Sequence, residues 1–181
     1  DGAWYNPVVA DNAVAFFPRY CRFTKKEWAG RPFHLEPWEA DWIIKPAFGW
    51  MRADGTRLYR RVIVWVPRKN GKTELLGGVS HLCLLGDEVP GAECYSIASS
   101  GDQANIVFKA AKDMVVYSEG LAEHYETFEG SLYCKSTRGR FEPLTGKPRG
   151  KHGLGTTYLI GDEAHEWPND QLYTFVRNAM A

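Results

Sequence analysis

Two short clusters carry the residue types that phosphate chemistry needs. The first is Pro67-Arg68-Lys69-Asn70-Gly71-Lys72-Thr73. A tight loop opening a helix turns backbone N–H groups toward an anion, and the positive end of the helix adds to the field. Gly71 permits close approach, Lys72 reaches the β- and γ-phosphates, and the Thr73 hydroxyl binds a magnesium ion bridging them. The usual spacing is G-x-x-x-x-G-K-[ST], but Val66 stands at the first glycine position, so the loop must enter by a different backbone path. The second cluster is Asp162-Glu163, adjacent carboxylates at the end of an apolar run. There Asp162 would hold magnesium through water while Glu163 polarises the attacking water.

These clusters need strands and helices to position them. The apolar run over residues 61–65 reads as a strand entering the loop, and residues 73–85 as a helix with Leu75, Leu76, Val79, Leu82 and Cys83 on its apolar face, weakened by Gly77-Gly78. Residues 93–98 read as a strand. A helix capped by Ser99 or Ser100 then runs to about Tyr117, with Ile106, Ala110 and Met114 in the core. Short strands follow over 131–135 and 138–141, then a Gly- and Pro-containing loop over 143–155, the strand ending at Asp162, and a helix over 169–180. Glu119, Glu123, Glu126 and Glu129 lie mostly at helical spacing and read as solvated surface. This alternation predicts an α/β fold with a mainly parallel sheet and crossover helices.

Lys plus Arg and Asp plus Glu number 22 each, so any nucleic-acid contact must be local. The local candidate is the basic stretch from Lys135 to Lys151, in which Lys147, Arg149 and Lys151 are the best duplex-backbone contacts. Four cysteines (Cys21, Cys83, Cys94, Cys134) without C-x-x-C pairing, and no signal-peptide or membrane-span pattern, point to free thiols in a reducing cytoplasm. The five histidines lack metal-ligand spacing. Upstream, Pro37 starts a helix on which Trp38 and Trp42 share a face, read first as core anchors.

Taken together, the segment from Phe33 to Trp38, the arginine-containing loop 67–73, Gln103-Ala104 and the run Leu159-Ile160-Gly161-Asp162-Glu163-Ala164-His165 resemble the large terminase subunits of tailed bacteriophages, in their amino-terminal packaging ATPase domain. The resemblance implies a RecA-like P-loop NTPase, a three-layer α/β/α domain over 1–181, with a helical, adenine-motif segment at 1–55 and the RecA-like core at 56–181. It implies a motor that hydrolyses ATP with Mg2+ to drive double-stranded DNA into a procapsid. Such a motor works in the host cytoplasm as a homo-oligomeric ring on the portal protein, served by a small terminase subunit. Lys72, Thr73, Asp162 and Glu163 then match the phosphate, magnesium and base residues, and Arg68 the loop arginine that touches the γ-phosphate. Pro67, Lys69, Asn70 and Gly71 complete the loop, and Trp38 and Glu39 match the adenine motif, with Glu39 where glutamine is usual. A carboxylate accepts from the adenine amino group but offers N7 no donor. Arg138, Arg140 and Arg149 are candidates for an arginine acting in a neighbouring subunit, and the coupling motif and nuclease domain of the family are expected beyond these residues. Two alternatives stand beside this reading: a superfamily 2 helicase-like ATPase domain, and an isolated nucleotide-binding fragment with negligible turnover.

Overall fold

A computed structural model of the chain describes residues 2–67, 69–144, 155–167 and 174. Its first elements are β1 (Trp4–Tyr5) and α1 (Pro7–Tyr20). The Asn6 side chain accepts the N–H groups of Val8 and Val9 at 3.1 and 3.3 Å, and Pro7 fills a first-turn position where its missing N–H costs nothing. Next, α2 (Pro37–Glu39), a π-helical turn (Ala40–Ile44) and α3 (Lys45–Gly49) run on as one rod, and β2 (Trp50–Met51) pairs antiparallel with β1. Ile44, Ala47 and Phe48 enter the core, but Trp42 is 79% exposed, which overturns its reading as a core anchor. The π turn shifts the helical register, so residues four apart across it no longer share a face.

The helix after the phosphate loop, α4 (Lys72–His81), continues through a π-helical turn (Leu82–Gly86) and leads into β3 (Glu93–Ile97) and α5 (Gly101–Tyr117). Ser100 caps α5 by accepting the Gln103 N–H at 3.2 Å. Ala110 and Met114 are buried as the periodicity predicts, whereas Ile106 is 48% exposed at the edge of the stripe. Beyond α6 (Glu119–His124) come β4 (Tyr125–Thr127), β5 (Leu132–Cys134), β6 (Gly139–Pro143) and β7 (Thr156–Gly161). The four glutamates from 119 to 129 are exposed as expected, although Glu126 lies on a strand.

The five strands order as β4-β5-β6-β3-β7. Its parallel part is β6-β3-β7, and β5 and β4 extend it antiparallel. Helices α4 and α5 pack on this sheet and α1 packs against the π-helical turn that continues α4 and against α6, around a core that includes Phe17, Leu84, Cys94, Met114, Leu121 and Phe141. Gly77 and Gly78 belong to that packing: a Cβ on Gly77 would lie 3.2 Å from the Ala111 backbone nitrogen, and one on Gly78 would lie 2.6 Å from the Phe17 ring. The pair therefore lets α5 and α1 approach α4 rather than weakening it. All four cysteines are free and buried.

One expected element does not form. Residues 61–66 make no strand, and Val62, Ile63 and Trp65 are 49%, 80% and 87% exposed. An apolar run becomes a strand only when a neighbouring strand takes its backbone hydrogen bonds, and among the described residues no strand is laddered to this run. The basic loop with Lys147, Arg149 and Lys151 and the helix expected over 169–180 lie outside the described residues, apart from Thr174.

Candidate functional site

Gly71 caps α4 in the left-handed conformation, at φ 69°. A Cβ there would meet no atom of the described residues within 4 Å, so the cost of a side chain is conformational. The Gly71 carbonyl accepts the N–H groups of Glu74 and Leu75, each at 3.0 Å, which fixes the first turn of α4 and the bases of Lys72 and Thr73. On the other side of Gly71 the Asn70 amide donates to the Pro67 carbonyl at 3.1 Å, and Lys69 takes positive φ. Arg68 lies outside the described residues.

Strand β7 brings the second cluster to the same place. Its register with β3 runs to Ile97 opposite Gly161, and the Asp162 N–H then donates to the Ile97 carbonyl at 3.0 Å. Asp162 and Glu163 thus stand at the carboxyl ends of parallel strands, where open α/β sheets place their ligands. Lys72 Nζ donates to Glu163 Oε1 at 2.9 Å, joining residues 91 apart in sequence. Glu163 holds a left-handed backbone at φ 46°, an uncommon conformation for a residue with a side chain. Asp162 is buried, and its Oδ1 accepts the Glu163 N–H at 2.9 Å. Desolvation pushes the Asp162 carboxyl above its ordinary range, the Glu163 charge adds to the rise, and the Glu163 N–H and Lys72 oppose it.

The sequence pattern did not single out Trp167, yet its indole N–H donates to the Asp162 carbonyl at 3.0 Å and its ring covers Gly161. An aromatic five residues after a strand-terminal carboxylate is too weak a signal to find alone. Gln103, on the first turn of α5, donates to Glu166 at 3.1 Å and so ties that helix to the turn after Glu163.

Behind β7, Tyr158 donates to Asp87 Oδ2 at 2.8 Å, and the Arg57 guanidinium pairs with the same carboxylate. Arg57 also lies 4.6 Å over the Phe48 ring. The cluster links the amino-terminal helices, the end of the α4 rod and the strand that carries Asp162.

A cavity of about 360 Å³ opens beside the phosphate loop. Asn70 and Gly71 form its loop side, Trp38 and Glu39 come from α2, and Glu36 and Glu74 also line it. Glu74 is engaged, since its Oε1 accepts the Thr24 N–H and hydroxyl, each at 2.7 Å. Glu39 is 4% exposed, and its Oε2 accepts the Glu36 N–H at 2.9 Å. The structure therefore brings Trp38 and Glu39 to the loop that carries Lys72.

The candidate arginines are elsewhere. Arg140 donates to Glu93 Oε1 at 2.8 Å and to the Tyr95 hydroxyl at 3.3 Å, at the end of the parallel strands opposite Asp162. Arg138 is exposed in the turn between β5 and β6, with φ 58°. Arg149 lies outside the described residues.

The donor set suits magnesium rather than a soft metal. A hydroxyl from Thr73 and a carboxylate from Asp162 are hard oxygen donors, and magnesium takes one or two such ligands with phosphate and water rather than a full protein cage. Among the described residues no group of three or more His, Cys, Asp or Glu side chains forms a cage of its own.

Comparison with known proteins places this geometry in context. The family model for the terminase large subunit, ATPase domain, matches residues 37–181. The large terminase subunit of Enterobacteria phage HK97 is 30% identical over 179 residues, covering 94% of this chain and 34% of that protein. The crystal structure of the HK97 bacteriophage large terminase superposes with a TM-score of 0.79 at 28% identity, covering 94% of this chain and 35% of the other. The large terminase ATPase domain of Thermus phage P74-26 matches with a TM-score of 0.50 at 22% identity, over 62% of this chain and 51% of that one, and shows the fold alone. The chain thus spans about a third of the HK97 protein.

Proposed function

Since the chain belongs to the terminase large subunit ATPase domain family, we propose that its site binds Mg-ATP and hydrolyses the γ-phosphate, and that this turnover drives double-stranded DNA translocation in the assembled packaging motor. The observation that carries the reading is the 2.9 Å contact between Lys72 and Glu163, which unites the phosphate loop and the carboxylate pair at one point.

In this mechanism the bound triphosphate takes over the Lys72 ammonium, and Glu163 is released to face the attacking water. Glu163 accepts a proton as the water oxygen bonds to the γ-phosphorus and the bond to the β,γ-bridging oxygen breaks. Thr73, and Asp162 through water, would hold magnesium, which would supply neutralisation of the charge developing on the phosphates. The Glu163 N–H and the Trp167 indole fix the carboxylate and carbonyl of Asp162, so the metal side of the site is positioned before nucleotide arrives. Pro67, Lys69 and Asn70 shape the loop, and Arg68 contacts the γ-phosphate and reports its loss.

The whole chain acts as one P-loop domain in this reading, with 1–55 supplying the base side and 56–181 the phosphate side. By analogy with the family, we infer that it works in the host cytoplasm as a ring on a portal protein, served by a small subunit. A neighbouring subunit supplies an arginine from among Arg138, Arg140 and Arg149, and Arg138 is better placed than Arg140, which Glu93 and Tyr95 hold. Lys147, Arg149 and Lys151 contact the duplex backbone.

The test is calorimetric titration of Mg-ATP into the wild type, Lys72→Ala and Glu163→Gln. Lys72→Ala loses roughly 1.5–3 kcal/mol of binding, the worth of a hydrogen bond to a charged group. Glu163→Gln retains binding and loses turnover by about 10²–10⁴ in the assembled motor. Unchanged affinity in Lys72→Ala would remove the phosphate cradle, and equal loss of binding in Glu163→Gln would remove the assignment of the base.

A further inference from the structure

Glu74 is held at both ends. It lies on the first turn of α4, directly after Lys72 and Thr73, and its N–H donates to the Gly71 carbonyl at 3.0 Å. Its side chain reaches a residue 50 positions away: Oε1 accepts both the N–H and the hydroxyl of Thr24, each at 2.7 Å. Thr24 is a firm anchor. The Phe23 N–H donates to the Arg31 carbonyl at 3.0 Å and the Gly30 N–H to the Phe23 carbonyl at 2.9 Å, closing a hairpin over residues 23–31. At its root the Phe33 N–H donates to the Cys21 carbonyl at 3.1 Å, and the Cys21 N–H to the Phe17 carbonyl of α1 at 2.7 Å. The Phe23 and Phe33 rings lie 4.5 Å apart, and Phe33 meets Phe17 edge-on at 5.5 Å. The hairpin is thus part of the packing of α1, and Thr24 carries that rigidity to the first turn of α4.

Among the described residues two side-chain hydrogen bonds tie this turn to distant parts of the chain, Lys72 to Glu163 and Glu74 to Thr24. On the reading of the phosphate loop given above, a bound triphosphate takes Lys72 from Glu163, so the tie that persists in the loaded site is the one to Thr24. We infer that Glu74 is a positioning residue: through Thr24 it holds the first turn of α4 so that the Lys72 ammonium and the Thr73 hydroxyl meet an incoming Mg-ATP in register, and it does not itself bind the nucleotide. A carboxylate suits this place, because the first turn of a helix favours negative charge and Thr24 supplies two donors to it.

The test is calorimetric titration of Mg-ATP into the chain and its variants, with a urea midpoint measured for each. Glu74→Gln removes the charge and keeps an acceptor for Thr24, whereas Glu74→Ala removes both, so comparing the two separates the tie from the charge. Glu74→Ala binds about tenfold more weakly than Glu74→Gln, the scale of one or two lost hydrogen bonds. Thr24→Val loses only the hydroxyl donor and binds about threefold more weakly than the wild type, while Thr24→Ser binds as the wild type does. In the double variant Thr24→Val/Glu74→Ala the losses do not add, because one contact carries both. A merely structural tie would lower the urea midpoint and leave the dissociation constant of the folded protein unchanged.

Equal affinities in Glu74→Ala and Glu74→Gln, with Lys72→Ala still weakening binding, overturn the positioning role and leave the phosphate site standing. Additive losses in the double variant overturn it too, since Glu74 then acts independently of Thr24. Where Glu74→Ala does not fold, Thr24→Val against Thr24→Ser decides alone, and equal affinities in that pair overturn the proposal. A wild type that binds no triphosphate removes the phosphate site itself, and the role of Glu74 with it.

Discussion

The two flanks of the phosphate loop differ more than any other neighbouring segments of the molecule. Behind the loop, α4 is clasped between α1 and α5, with Leu75, Gly77, Gly78, Ser80 and His81 all buried. Ahead of it, Ile63 and Trp65 are 80% and 87% exposed. Both flanks are apolar enough to read as regular structure, so composition does not separate them. The difference is partners: α4 satisfies its own backbone and needs only surfaces to pack on, whereas a strand must borrow its hydrogen bonds from a neighbour.

The packed flank should be the sensitive one, and acid is the strongest way to test it. His81 is fully buried on α4, its Nε2 lying 3.0 Å from the Ala111 carbonyl, against which it donates, and its ring meets Tyr125 edge-on at 5.0 Å. Burial lowers its pKa to about 4, with the Ala111 contact opposing. The unfolded chain, with an ordinary histidine near 6.5, binds the proton first as the pH falls. Stability is therefore complete above about 6.5 and is lost as the pH drops toward 4, by up to about 3 kcal/mol. Urea midpoints measured between pH 7.5 and 4.5 should fall through this window in the wild type and fall less in His81→Gln. Equal slopes in the two proteins would show that His81 does not titrate on unfolding.

A steric test of the same flank comes next in size. Gly78→Ala would place a Cβ 2.6 Å from Phe17, whose ring is fully buried and has no free end to yield. Overpacking of this kind costs about 1–3 kcal/mol. Gly71→Ala serves as the contrast, because its Cβ meets none of the described residues and its cost is that of the left-handed backbone, about 1–2 kcal/mol. Chemical denaturation should show Gly78→Ala as the more damaging of the two. The opposite order would mean that α1 stands off from α4 in solution.

These tests also mark what the sequence could and could not disclose. Gly71-Lys72-Thr73 and Asp162-Glu163 were legible because each is a local pattern, and their meeting follows from the topology of parallel strands. The helix α5 and the hairpin β5-β6 were legible for the same local reasons. Trp42 was misread because a π turn shifts the face on which it lies, and period alone carries no sign of such a turn. Gly77-Gly78 looked like a weakness because their value is in the approach of α1 and α5, which are remote in sequence. Trp167 went unnoticed because its partner is a backbone carbonyl, which every sequence offers everywhere.

The smallest expected effect belongs to the exposed flank, and it sharpens the comparison most. Ile63 is as apolar as any residue of α4, so a reading from composition assigns Ile63→Ser the cost of a core truncation, several kcal/mol. At 80% exposure there is little apolar surface left to lose and no cavity to leave behind, and surface changes of this kind fall within about 0.5 kcal/mol. Urea denaturation of Ile63→Ser beside Gly78→Ala therefore separates apolar character from burial within one short stretch of chain. A loss in Ile63→Ser matching that in Gly78→Ala would show that residues 61–66 are packed in solution, and the two flanks would then be alike.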